Sequence, residues 1–311
     1  MRRTAVADHP IADGDLADSG DEAAEGEAHD LGGLPTGDEE EDAGRPFAIA
    51  IANVTAWSSA QRLLDACRPD AWLLQETTHA GADAQVEAAS WAANRQWKLA
   101  AGAGLPGKRG ARAGADVAAP LDMTQGRWPG QETTELWPGR CTAVHLSTLA
   151  AGGIAVASVY AAVGMGYQNE NLDLCDALEE AVAKLDCLWV IGGDWNMPPA
   201  QLRQFAIRAG GVIVAPDEPT CDAGRGESTI DYFIVHQALE HLVTAVVVND
   251  GLIKTHRVVK LVVNKAAAKL TQWSLVRRPA FPVDLPVGPA RIGPVYTPPA
   301  EDATLEERAA G

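Results

Sequence analysis

Trp189-Val-Ile-Gly-Gly-Asp-Trp-Asn-Met-Pro-Pro199 is the stretch on which the reading of the fold turns. The apolar run Cys187 to Ile191 reads as a buried strand. Gly192-Gly193 reads as a break in it, made of residues that tolerate unusual backbone angles and close approach. Asp194 and Asn196 follow at spacing two, so in extended chain their side chains point the same way. Pro198-Pro199 stops the segment, and Pro199 suits the opening of a helix at Ala200. A carboxylate and an amide at the carboxyl end of a buried strand suit a site in an α/β protein. Asp194 or Asn196 would serve equally as a cap of the following helix, and the stretch alone does not choose.

Working outward, strand and helix patterns alternate on both sides. Phe47 to Val54 alternates large and small apolar residues and ends at Asn53. A helix capped by Ser58 or Ser59 follows, and then a second buried strand, Ala71 to Gln75, which ends in Glu76-Thr77-Thr78-His79. Asp83 to Asn94 has helical spacing, with Val86, Ala89 and Trp91 as its expected buried face. Gly102 to Gly114 reads as a flexible loop carrying Lys108, Arg109 and Arg112, either a solvated charge run or a phosphate-backbone contact. Cys141 to Thr148 and Ile154 to Tyr160 form a hairpin pattern. A helix capped by Asn169 or Asn171 leads into Cys187, and the strands Val212 to Val214, Thr229 to Val235, Val243 to Val248 and Val258 to Val263 complete the set. There is no strict βαβ repeat, and no G-x-G-x-x-G or P-loop precedes a helix, which argues for α/β layers that are not a nucleotide-binding Rossmann domain.

Composition divides the chain. Residues 1–45 hold fourteen Asp or Glu against Arg2, Arg3 and Arg45, a net of −11 out of −17 for the whole, so the remainder carries −6. This acidic arm reads as solvated and disordered. Residues 46–263 form one domain large enough for a substantial core. Residues 264–311 contain seven prolines and read as a weakly structured tail. The five cysteines form no C-x-x-C pair, and no apolar run is long enough to span a bilayer. The expectation is an intracellular, soluble monomer, with the nucleus as one compartment, and no membrane partner.

The polar residues fall at strand ends: Asn53, Glu76, Tyr160, Asp194 and Asn196, with Asp231 and His256 in or beside late strands. Sites on layered folds are built this way. Glu76 is a hard oxygen ligand suited to Mg²⁺, with Mn²⁺ as an alternative. Asp231, flanked by Ile230 and Tyr232-Phe233-Ile234, needs a partner if buried. A histidine such as His256 would be held in one tautomer by it. Asp194 and Asn196 could orient a water, and Tyr160 could donate to a phosphate oxygen.

In this order the motifs resemble the endonuclease/exonuclease/phosphatase superfamily, the deoxyribonuclease-I-like fold: Asn53, Leu-Leu-Gln-Glu-Thr (73–77), Ser-Val-Tyr (158–160), Gly-Gly-Asp-Trp-Asn (192–196), Pro-Thr (219–220), Ser-Thr-Ile-Asp-Tyr-Phe (228–233) and Thr-His-Arg-Val-Val (255–259). The layout is most similar to endonuclease domains of non-long-terminal-repeat retrotransposons and to abasic-site endonucleases. The resemblance implies a four-layer α/β sandwich of two stacked mixed β-sheets flanked by helices. It implies a metal-dependent phosphodiester hydrolase acting on nucleic acid, DNA foremost. Mg²⁺ would sit on Glu76 with Asn53, with phosphate contacts from Tyr160 and His256. Asp194 and Asn196 would stand at the attacking water and Asp231 would polarise His256, the base being Asp194 or His256. Lys108, Arg109 and Arg112 are the candidate substrate contacts. Two positions depart from the family pattern: Thr255 stands where an aspartate usually precedes the histidine, and Thr55-Ala56-Trp57 supplies no acidic residue after Asn53. A binding domain without catalysis, or a hydrolase of a lipid or small phosphate ester, would use the same scaffold.

Overall fold

In the strand Phe47–Asn53 the large side chains Phe47, Ile49 and Ile51 alternate with alanines. Successive side chains of a strand point to opposite faces. The large set therefore packs with Val156, Val190 and Phe233 in the core between two sheets. Ala50 and Ala52 face the other way and pack with Leu63 and Leu64 of the helix Trp57–Ala66. The alanines let that helix approach closely, and each fully buried Ile or Phe stabilises the core by roughly 1.5–3 kcal/mol.

The computed structural model describes residues 46–264 except 109, 151, 223, 225, 249 and 250; the acidic arm, the tail beyond residue 264 and Arg109 lie outside the described residues. One sheet has the strand order Val243–Val248, Val258–Val263, Phe47–Asn53, Ala71–Gln75, Ala115–Pro120, Trp97–Ala101. The other runs Gly211–Val214, Asp231–His236, Leu188–Asp194, Ile154–Tyr160, Cys141–Leu146, Gln125–Arg127, with Glu135–Trp137 also on Cys141–Leu146. Each sheet is mixed, with a parallel pair at its centre: Phe47–Asn53 with Ala71–Gln75, and Ile154–Tyr160 with Leu188–Asp194. A helix joins each pair, Trp57–Ala66 in the first and Glu170–Val182 in the second. The sheets stack face to face. Trp57–Ala66 and the Ala88/Ala92 side of Ala82–Ala93 belong with the outer face of one sheet, and Glu170–Val182 and Pro199–Arg208 with that of the other. This is the expected four-layer α/β sandwich. Among the described residues no helix is long and apolar enough to cross a membrane.

Several local expectations are corrected. Gly192-Gly193 does not break its strand, which continues to Asp194. A Cβ on Gly192 would meet Phe233 at 2.6 Å and Ile51 at 2.8 Å, so the glycine is there for sheet-to-sheet approach. Thr229–Val235 begins at Asp231, which is therefore the first residue of its strand and not an interior one. The flexible loop Gly102 to Gly114 contains a hairpin of Leu105–Gly107 and Gly110–Arg112. None of Ser58, Ser59, Asn169 or Asn171 caps a helix with its side chain; Asn171 is buried and bonds Ala162 N, Ala162 O and Gly166 O. In Ala82–Ala93 the buried residues are Ala88 and Ala92, while Val86 is 66 % exposed. That helix is half alanine, so its spacing carries little directional information. Its Trp91 instead packs edge-on against Trp57 and under the Arg95 guanidinium.

A Cβ on Gly193 would collide with the Val159 backbone in the neighbouring parallel strand, and backbone cannot rotate away. Gly193→Ala is expected to lower stability by at least about 1–3 kcal/mol, read as a fall in the urea midpoint at unchanged m-value.

Candidate active site

The polar residues at the strand ends share one parity with the inter-sheet core. Asn53 lies on the face of Ile49 and Ile51, Gln75 on that of Leu73, Tyr160 on that of Val156, Asp194 on that of Val190, and Asp231 on that of Phe233. The face that buries aliphatic side chains along the sandwich thus turns polar at one end. Register aligns the rows: Asn53 opposite Gln75 in one sheet, and Tyr160, Asp194 and Asp231 side by side in the other.

Across the sandwich, Asn53 Nδ2 donates to Asp194 Oδ2 at 2.9 Å and to Glu76 Oε1 at 2.9 Å. Its Oδ1 accepts from Thr55 N at 3.1 Å, and in the same way Asp194 Oδ1 accepts from Asn196 N at 2.9 Å. Thr55 and Asn196 both take positive φ, 57° and 51°. Asn196 therefore does not project beside Asp194 from extended chain. Its amide turns to Ala161 O at 2.8 Å, and neither residue caps the helix Pro199–Arg208, whose N-cap is Pro198.

His256 sits with Nδ1 at 3.1 and 3.0 Å from the two Asp231 oxygens, and its Nε2 is 3.9 Å from Asp194 Oδ2. Nδ1–H donates to Asp231, which leaves Nε2 facing the site. Burial works against the imidazolium. The hydrogen bond and charge of Asp231, with Asp194 and Glu76 behind them, outweigh it and raise His256 to about 9. Asp194 is buried opposite Asp231, and like charges across a ladder repel. Burial and the Asp231 charge push its carboxyl well above the usual range, against the pull of His256, Asn53 and Asn196. Burial, then the charge of and a hydrogen bond to Glu76, raise the Tyr160 hydroxyl and keep it protonated. The Arg140 guanidinium lies over the Tyr160 ring at 5.1 Å.

Lys108 and Arg112 are exposed on the hairpin and take no part in this cluster, but the hairpin is rooted beside it. Gly114 O and Ala113 O accept from the backbone N–H of Glu76 and Thr78. Glu76 and Thr78 have φ of 58° and 54°. Non-glycine residues held there cost of order 1 kcal/mol each, so the surroundings must hold the segment.

Three sets of contacts are not given by the sequence, although Thr77 and Thr220 stand within the motifs that carry the family resemblance. Thr77 Oγ1 and His79 Nε2 bond Asp116 at 2.9 and 2.7 Å, anchoring the segment after Glu76. Asp116 carries the same signal as Asp231, a lone carboxylate in an apolar run, within the strand Ala115–Pro120. Thr220 Oγ1 accepts from Ile230 N and Asp231 N at 3.1 and 3.0 Å, seating Asp231. Cys221 Sγ lies 3.8 Å from His256 Nε2. No spacing in the sequence announces the last two contacts.

The donor set suits a hard divalent cation. Glu76 is partly exposed, Asp194 is within reach of it through the shared Asn53 amide, and ligand atoms of Asp194, Asp231 and His256 lie within 4.8 Å of one another. The two neutral departures, Thr55 and Thr255, are both exposed.

A family model described as Endonuclease/Exonuclease/phosphatase family matches residues 56–255. The endonuclease domain of TRAS1, a telomere-specific non-LTR retrotransposon, superposes with a TM-score of 0.53 at 18 % identity, covering 70 % of this chain and 98 % of that one. An endonuclease/exonuclease/phosphatase family protein from Leptotrichia buccalis C-1013-b gives 0.51 at 14 % identity, covering 70 % and 99 %. Comparison with curated proteins finds no match.

Because the folded value of His256 lies above the ordinary 6.5, its ion pairing stabilises the fold fully below about pH 6.5. That contribution is lost as pH rises through about 9. The stability gap between the natural chain and His256→Gln is expected to shrink by on the order of 3 kcal/mol over that window, followed by urea midpoints from pH 6 to pH 10.

Proposed function

The chain belongs to the endonuclease/exonuclease/phosphatase family, whose members are phosphodiester hydrolases and generally metal-dependent, and we propose that it cleaves phosphodiester bonds in nucleic acid, DNA foremost, as an endonuclease. The observation that carries the proposal is the unbroken array Glu76–Asn53–Asp194 with Asp231–His256 beside it, gathered from four strand ends of two sheets.

Each side chain has a task that follows from its surroundings. Asp194, its carboxyl raised by burial and Asp231, accepts a proton from an attacking water near neutral pH. His256, raised to about 9, is an imidazolium at that pH. That charge supports a donor role for His256 toward a phosphoryl oxygen and the base role for Asp194. Asp231 keeps the ring oriented. Tyr160, held protonated, donates to a second phosphoryl oxygen. Asn53 parts two carboxylates that would otherwise repel. Asn196 fixes Asp194 Oδ1 through its backbone N–H, and Asn53 holds Oδ2, the oxygen that faces His256. Glu76 with Asp194 would hold Mg²⁺ or Mn²⁺, which supplies charge neutralisation at the phosphate. Lys108 and Arg112, exposed on the hairpin whose base bonds the backbone of Glu76 and Thr78, are the candidate phosphate-backbone contacts. The TRAS1 likeness supports the retroelement type of endonuclease.

A second reading, a binding domain with little or no catalysis, has one observation in its favour: Thr255 is neutral and exposed where the resemblance expects an aspartate, and Thr55-Ala56-Trp57 supplies no acidic residue after Asn53. Loss of such groups lowers metal affinity or rate by roughly 10- to 100-fold, so a slow enzyme accommodates it as well.

The deciding measurement is nicking of supercoiled and abasic DNA, with an RNA substrate in parallel, in Mg²⁺ and in Mn²⁺. Asp194→Ala and His256→Ala are expected to slow metal-dependent cleavage by about 10²–10⁴-fold, and Thr255→Asp to speed it. Cleavage indifferent to chelator, or unaltered by both alanine substitutions, would sink the enzyme reading.

A further inference from the structure

Behind Glu76 lies a second buried polar cluster that the proposed chemistry does not use. Strand parity puts Asp116 on the face of Ala118, opposite to Val117 and the inter-sheet core. There its carboxylate is wholly buried and meets three donors. Oδ1 accepts from Thr77 Oγ1 at 2.9 Å and from Gly102 N at 3.0 Å. Oδ2 lies 2.7 Å from His79 Nε2, and since a carboxylate has no proton to give, the imidazole donates. Thr77 and His79 are themselves buried. The His79 ring packs on Trp57, centroids 5.1 Å apart, and the His79 carbonyl accepts from Gly104 N at 2.9 Å. One carboxylate thus ties the residues after Glu76 to the root of the hairpin that carries Lys108 and Arg112. Through His79 and Trp57 it also reaches the helix Trp57–Ala66 that follows Asn53.

We propose that Asp116, with Thr77 and His79, is the positioning group of the site: from the far face of the sheet it fixes Glu76 in the conformation that meets Asn53, and so sets the affinity for the divalent cation. The proposal rests on the reading of Glu76 as a cation ligand and adds the residues that make that ligand competent. Burying a carboxylate in an apolar strand is costly and adds nothing to the core, so the group answers another need. Glu76 and Thr78 take φ of 58° and 54°, which non-glycine residues keep only where their surroundings over-determine them. Thr77 stands between the two and is held by its side chain to Asp116. A Cβ on Gly114 would meet Thr77 Oγ1 and Thr78 N, each at 3.0 Å, so segment and strand fit without slack. Release of Thr77 lets Glu76 relax toward extended chain and swings its carboxylate off the Asn53 amide. Asp116 touches neither cation nor substrate; it acts through residues 76–78. Because it also holds Gly102 N, it registers the basic hairpin against the same ligand.

The test is Mn²⁺ binding by the full-length chain without substrate, read from the loss of the free-ion electron paramagnetic resonance signal. The natural chain is compared with Glu76→Gln, Asp116→Asn, Thr77→Val and Thr77→Ser, with circular dichroism to confirm folding. Thr77→Val keeps the shape and removes the hydroxyl, and Thr77→Ser keeps the hydroxyl. Thr77→Val and Asp116→Asn are expected to bind Mn²⁺ at least roughly tenfold more weakly, and Thr77→Ser to stay near the natural chain. Should Asp116→Asn fail to fold, the threonine pair carries the test. In nicking assays the defect of Thr77→Val is expected in the Mg²⁺ half-saturation and to be recovered by excess Mg²⁺, which a loosened fold would not give. A folded Thr77→Val chain that binds Mn²⁺ like the natural one, or a Thr77→Ser chain as weak as Thr77→Val, overturns the positioning role. So does a rate defect that excess Mg²⁺ leaves in place. Binding indifferent to Glu76→Gln removes the cation seat and the proposal with it. Binding in the expected order by a chain that hydrolyses nothing leaves the positioning role standing and removes the hydrolase reading instead.

Discussion

One amide nitrogen holds the site together. Asn53 Nδ2 reaches from one sheet to Asp194 in the other, 141 positions away in sequence, and at the same time to Glu76. A hydrogen bond to a charged acceptor is worth about 1.5–3 kcal/mol, but its larger effect is geometric. Two carboxylates at the mouth of an apolar sandwich would repel and turn outward. The amide between them gives both a common donor at Asp194 Oδ2 and Glu76 Oε1, while Asp194 Oδ1 accepts from Asn196 N. Asp194 depends on it twice over, since the in-register neighbour Asp231 adds further negative charge that only Asn53, Asn196 and His256 offset.

The two halves of the site repeat a single local device. In Asn53-Val-Thr55 and in Asp194-Trp-Asn196, a side-chain oxygen at a strand end accepts the N–H two residues on, and that residue takes positive φ. The turn ends the strand and directs the remaining polar atom of the first residue inward. Each sheet thus contributes one inward-facing arm from a parallel pair of strands, and the arms meet. Position 194 also explains the two glycines before it: one makes room for Ile51 and Phe233 between the sheets, the other for Val159 within the sheet.

Much of this was legible in the sequence, for identifiable reasons. Strand parity is a local property, so Phe47–Asn53, Ala71–Gln75, Ile154–Tyr160 and Leu188–Asp194 and the polar residues that end them could be read directly. The charge at Asp231 among Ile230 and Tyr232-Phe233 demanded a partner, and His256 meets that demand. What could not be read depends on distant chain or on weak local signals. Ala115–Pro120 is short and alanine-rich, so its Asp116 went unnoticed even though it secures Thr77 and His79. Thr220 and Cys221 matter because a loop happens to pair with His256, a tertiary fact without a local pattern. The double glycine looked like an interruption because glycine signals flexibility in isolation, while here it signals the closeness of neighbouring strands.

Among the described residues, the last strand to be made completes the first sheet. Val258–Val263 pairs with Phe47–Asn53 on one side and Val243–Val248 on the other, so its neighbour on the first side was synthesised some two hundred residues earlier. Contacts of such sequence separation form late and slowly. His256 stands just ahead of that strand. A polypeptide still emerging from the ribosome, or one ended early by a premature stop, can therefore hold Glu76, Asn53 and Asp194 and still lack the imidazole opposite them. The topology makes completion of the polar cluster coincide with completion of the sheet that carries Asn53 and Glu76.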